Sequence, residues 1–121
     1  MLIAAFAFLA AAIALGAALA IIYLRREDGA GLPWPLGALH GALGIGGLCC
    51  LALTLGGPPQ GADQGTSSFG AISTALISLA AIVGFAAFAH FVKRRRAGLL
   101  VGLHATLAIS GFVILAAYLL A

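Results

Sequence analysis

Read for polarity alone, the chain is four long apolar runs separated by short polar breaks. Residues 2–24, 34–56, 68–92 and 97–121 contain no Asp, Glu, Lys or Arg, and each run is 23 to 25 residues long. A helix needs about 20 residues to cross a ~30 Å hydrocarbon layer, so each run predicts one transmembrane span. The runs are apolar all round, without the polar stripe of a surface helix. The breaks are made of turn formers: Asp28-Gly29 and Pro33-Trp34-Pro35 in the first, Gly56-Gly57-Pro58-Pro59 with Gly61 in the second. Pro35 falls in the first turn of its helix, where a missing N–H costs nothing, and Ser67 or Ser68 is placed to cap the third helix. The predicted fold class is an all-α integral membrane protein, with one four-helix transmembrane domain over residues 1–121.

The pattern also repeats. Setting Leu36–Leu55 against Leu100–Leu119, an offset of 64, matches nine of twenty positions, and His40 falls on His104. The preceding runs align at an offset of 68, which brings Gly16 onto Gly84, Arg25 onto Lys93 and Arg26 onto Arg94. The difference of four fits an insertion between Glu27 and Pro35. Residues 1–56 and 68–121 therefore read as two copies of a helical hairpin. Each copy crosses twice and returns to its starting side, so the copies are parallel and their equivalent residues lie at equal depth.

Composition sharpens the class. The chain is 64% hydrophobic and 7% charged, with a mean hydropathy of +1.20, where soluble domains carry about a quarter charged residues. The residues outside the runs are too few to bury a core of their own. A self-contained soluble enzyme, a nucleic-acid binder and a secreted disulfide scaffold are excluded. All six basic residues (Arg25, Arg26, Lys93, Arg94, Arg95 and Arg96) fall in the first and third breaks, and none in the second. The positive-inside rule then predicts cytoplasmic first and third loops, both termini outside, and a multi-pass protein of the cell inner membrane. The first run lacks a basic segment ahead of it, so it reads as a retained helix instead of a cleaved signal. Tyr23, Trp34 and Tyr118 stand near the predicted interfaces and read as aromatic anchors.

Ionisable groups inside a bilayer are costly and mark candidate sites. Here they are histidines. His40 and His104 lie roughly 9 to 10 Å inside the arginine-rich edge at 1.5 Å rise per residue. Neutral imidazole is a good haem-iron ligand, and two histidines from neighbouring helices can hold one haem b. Gly37, Gly44, Gly47 and Leu51 share the face of His40; Val101, Ala108, Gly111 and Leu115 share that of His104. The small residues Gly44, Gly47, Ala108 and Gly111 leave room for a flat macrocycle, and equally let bare helices pack. Interhelical hydrogen bonding, or one pigment magnesium per imidazole, are the other uses of the same pair. No carboxylate lies in any run, which argues against the proton-coupled antiport of small multidrug transporters.

The four-span plan and the segments Leu39-His40-Gly41-Ala42-Leu43 and Leu103-His104-Ala105-Thr106-Leu107 resemble four-helix membrane b-type cytochromes, the cytochrome b561-like proteins and cytochrome b subunits of dehydrogenases and hydrogenases. The resemblance implies one bis-histidine haem with His40 and His104 as axial ligands, propionates toward the arginine-rich edge, and electron transfer to or from a quinone. Three histidines rule out the four ligands of two-haem members. His90, aligned with Ile22, reads as a quinone hydrogen-bond donor, a substitute ligand or an interfacial residue reaching headgroups. Cys49 and Cys50 lack zinc spacing and read as free thiols, and without a Cys-x-x-Cys-His there is no c-type attachment. Ser73, Thr74, Ser78, Thr106 and Ser110 read as bonding to helix carbonyls. Asp63 stands alone, and Glu27 and Asp28 pair locally with Arg25 and Arg26, so no acid–base or nucleophilic constellation exists.

The expected function is a membrane-embedded b-type haem subunit or electron carrier, non-catalytic by itself, passing electrons between a quinone and a redox partner. The alternative is a cofactor-free accessory subunit of a respiratory or photosynthetic complex. Either acts with the bilayer and with other membrane subunits or a second copy of itself. The two differ in whether His40 and His104 face each other inside the bundle.

Overall fold

The computed structural model describes residues 1–25, 33–93 and 95–121. The expected Asp28-Gly29 turn, the pairing of Glu27 and Asp28 with Arg25 and Arg26, and the place of Arg94 lie outside them. Four α-helices carry the chain: α1 (Leu2–Arg25), α2 (Trp34–Thr54), α3 (Phe69–Val92) and α4 (Gly98–Leu120). All four are long and apolar enough to cross a membrane, and the protein is a multi-pass membrane protein. The second apolar run continues to Gly56, but α2 stops at Thr54. Leu55 N and Gly57 N fold back onto Ala52 O and Thr54 O, and Pro58 and Pro59 then cannot continue a helix. Ser68 occupies the cap position of α3, yet its side chain makes no cap bond. Phe69 N donates instead to Thr66 O at 3.0 Å.

The helices stand at the corners of a square. α1 packs most extensively on α2, and α3 on α4; thinner contacts join α1 to α4 and α2 to α3. Among the described residues, no close backbone contact joins the diagonal pairs. The seam between the two hairpins is therefore the weaker one. Its side-chain contacts include a stacked Phe6–Phe112 pair with ring centroids 4.8 Å apart.

With lipid outside as apolar as leucine, burial of oil does not choose the inward face; close packing and interhelical hydrogen bonds do. On α1 the buried residues are Leu2, Ala5, Leu9 and Ala12; on α3 they include Gly70, Ser73, Ile77 and Ala80, the same four positions 68 residues later. Gly47 and Leu51 on α2 correspond likewise to Gly111 and Leu115 on α4, 64 residues on. The glycines are where the helices touch. A Cβ on Gly47 would stand 2.6 Å from Leu9 Cγ, and one on Gly111 2.7 Å from Ile77 Cγ1. Ser73, fully buried, adds a hydrogen bond from its Oγ to Gly111 O at 2.8 Å.

Two of the three expected aromatic anchors turn inward. Tyr118 is only 4% exposed, and its hydroxyl accepts from Gln60 N at 3.1 Å, tying α4 to the loop between α2 and α3. Tyr23 meets Phe91 edge to face, with centroids 5.3 Å apart, and its hydroxyl accepts from Ala97 N at 3.4 Å. A tyrosine hydroxyl near a helix end is satisfied as well by a loop N–H as by headgroups. Trp34 alone stays exposed, at 74%.

Candidate functional site

His40 and His104 come from α2 and α4, opposite corners of the square, and each stands six residues beyond the first residue of its helix. Their rings meet between the corners, with centroids 5.8 Å apart and planes at 80°. Each ring is fixed by the other helix of its own hairpin. His40 Nδ1 donates to Ala12 O at 2.8 Å, and His104 Nδ1 donates to Ala80 O at 2.7 Å. A carbonyl only accepts, so the proton of each neutral ring sits on Nδ1 and the lone pair is left on Nε2.

The approach is possible because the turn after each acceptor lacks a side chain. A Cβ on Gly16 would lie 2.9 Å from His40 Cε1, and one on Gly84 2.7 Å from His104 Nδ1. Each hairpin thus repeats one small device: an alanine carbonyl, a glycine one turn on, and a histidine from the partner helix lying over both. Ala12, Ala80, Gly16 and Gly84 are site residues that side-chain chemistry misses, since two offer only a carbonyl and two only a gap. For the two glycines, the match of Gly16 with Gly84 at offset 68 is the signal.

The rings open on a cavity of about 60 Å³ lined from all four helices, with Gly44 and Ala108 beside the histidines. Gly47 and Gly111, expected in the same wall, instead take up the close contacts with Leu9 and Ile77. His90 is elsewhere. It donates from Nδ1 to Ala86 O of its own helix at 2.9 Å and lines a separate cavity of about 210 Å³ with Lys93 and Arg95. Cys49 is exposed and Cys50 half-buried, both as free thiols.

No protein-family model, curated protein or solved structure matches this chain. The site is therefore read from its own chemistry.

A haem b can be tested against these residues. The two rings stand 5.8 Å apart, centroid to centroid, with planes at 80°. The donors fit. Ligating histidines ordinarily give their second N–H to a carbonyl or carboxylate, which fixes tautomer and ring orientation. The cavity is the exception: at about 60 Å³ it is well below the roughly 300–1,000 Å³ of ligand and cofactor pockets. A macrocycle needs the hairpins to part along their thin seam. His40 and His104 belong to different hairpins, so parting keeps both anchoring hydrogen bonds.

Proposed function

We propose that this protein is a small membrane b-type haem subunit or electron carrier, with His40 and His104 as the two axial ligands of one haem. The observation that carries the reading is the meeting of two imidazoles inside the bundle, each with Nδ1 tied to a helix carbonyl and Nε2 free. Bound there, haem would supply one-electron redox chemistry. The chain's own part is positional. Ala12 O and Ala80 O hold the two ring orientations. Leu51 and Leu115, with no exposed surface and about three turns further along their helices, keep water from entering on one side. The Tyr23–Phe91 pair covers the arginine-rich end.

In this reading the arginine-rich end is cytoplasmic and both termini face outward, which the count of six basic residues against none supports. A quinone in the bilayer is the mobile electron donor or acceptor, and a second redox subunit, or a second copy of the chain, is the partner. The like placement of Ala12, Gly16 and His40 and of Ala80, Gly84 and His104 supports two parallel copies of one hairpin. The small volume of the central cavity favours a second reading, a cofactor-free accessory subunit in which the histidines only clamp helices together.

Haem content separates the two. The protein purified in mild detergent from haem-replete cells is expected to give a b-type reduced-minus-oxidised spectrum. Gly44→Leu is expected to stay folded and lose most of that absorption, because nothing stands within 4 Å of a Cβ at Gly44 and the added side chain occupies the cavity wall. A colourless unsubstituted protein favours the accessory subunit.

A further inference from the structure

The cavity beside His90 is independent of the histidine pair and does not rest on the haem reading. It forms because the chain turns back after α3. Lys93 N donates to Ala89 O at 3.3 Å and Arg95 N to His90 O at 2.8 Å, so Arg95, five residues beyond His90, lines the same space of about 210 Å³. Ala86 and Ala89 form the apolar part of its lining. Arg95 N also takes up His90 O, one of the carbonyls left over at this helix end.

His90 Nδ1 is committed to Ala86 O, which leaves Nε2 as the ring's remaining polar atom. Two basic residues and a histidine thus line a space at the end of a membrane-spanning helix. That is the depth at which the hydrocarbon gives way to phosphates, and basic pockets at helix ends suit anionic headgroups. We propose that His90, Lys93 and Arg95 bind the phosphate of an anionic phospholipid headgroup, with Ala86 and Ala89 against its apolar part. The recognised chemistry is a phosphate ester, and its source is the bilayer.

The test is thermal unfolding of the full chain in neutral detergent micelles carrying phosphatidylglycerol, phosphatidylcholine, or inorganic phosphate at matched ionic strength. Phosphatidylglycerol is expected to raise the unfolding temperature saturably, and phosphatidylcholine is not. Each cation near a membrane surface contributes about a fivefold factor, so Lys93→Gln with Arg95→Gln is expected to weaken the apparent affinity about twenty-five-fold. Arg25→Gln removes an exposed cation from the same end that does not line the cavity, and is expected to weaken the affinity about fivefold at most, well short of the double variant. An equal effect from inorganic phosphate, lost in the same double variant, overturns the bilayer as source and assigns the site to a free phosphate. No shift with phosphatidylglycerol, or a shift that survives the double substitution or falls equally in Arg25→Gln, overturns the site itself.

Discussion

His40→Ala and His104→Ala are each expected to remove the b-type absorption entirely, where independent sites would each remove half. One ion between two rings has no second pair of ligands to fall back on, and the third histidine, His90, lines a different cavity. His90→Ala is therefore expected to keep its full haem content, against its reading as a substitute ligand. Each alanine variant also loses a helix-to-helix hydrogen bond, of the order of 0.6 kcal/mol in a membrane bundle. That is too small to unfold a four-helix protein, so loss of colour reports ligation. Added imidazole is expected to restore part of the colour in both variants. If either alanine variant retains half or more of the absorption, the pair does not share one haem.

A glycine series tests the contacts that seat the two rings. In Gly84→Ala the new Cβ arrives 2.7 Å from His104 Nδ1, the atom already donating to Ala80 O, so the ring must move and the hydrogen bond goes with it. Overpacking of this kind costs about 1–3 kcal/mol. Gly16→Ala meets His40 at Cε1, 2.9 Å away, with Nδ1 at 3.3 Å, and is expected to cost less. Gly44→Ala meets nothing and is expected to be neutral, or stabilising by up to ~1 kcal/mol from helix propensity. Reversible unfolding in mixed micelles of neutral and anionic detergent measures all three. The order Gly84, Gly16, Gly44 from most to least damaging is the prediction, and equal costs at all three positions would contradict the contacts.

The four spans were legible because charge is excluded from 20-residue stretches, a signal that no packing detail can blur. The inward faces were not. Each helix is apolar all round, so periodicity does not separate lipid from protein, and the small-residue stripe around His40 merged two roles. Gly44 lines the cavity, while Gly47, one turn on, is the contact with Leu9. The tyrosines misled for a related reason. An amphipathic ring near a predicted interface satisfies its hydroxyl equally well on headgroups or on a loop N–H, and Tyr118 takes the second course with Gln60. The site residues supplied by backbone, Ala12 and Ala80, carry no chemistry in their side chains. They became visible only once their carbonyls were seen under the two imidazoles.

In the proposed haem site, two imidazoles from opposite hairpins share one iron. Low-temperature electron paramagnetic resonance of the oxidised protein, with haem counted against chain, tests it most directly. One low-spin, six-coordinate ferric haem per chain is the expected result, because two strong-field imidazoles hold the iron low-spin. A high-spin signal, or protein without haem from haem-replete cells, would contradict it.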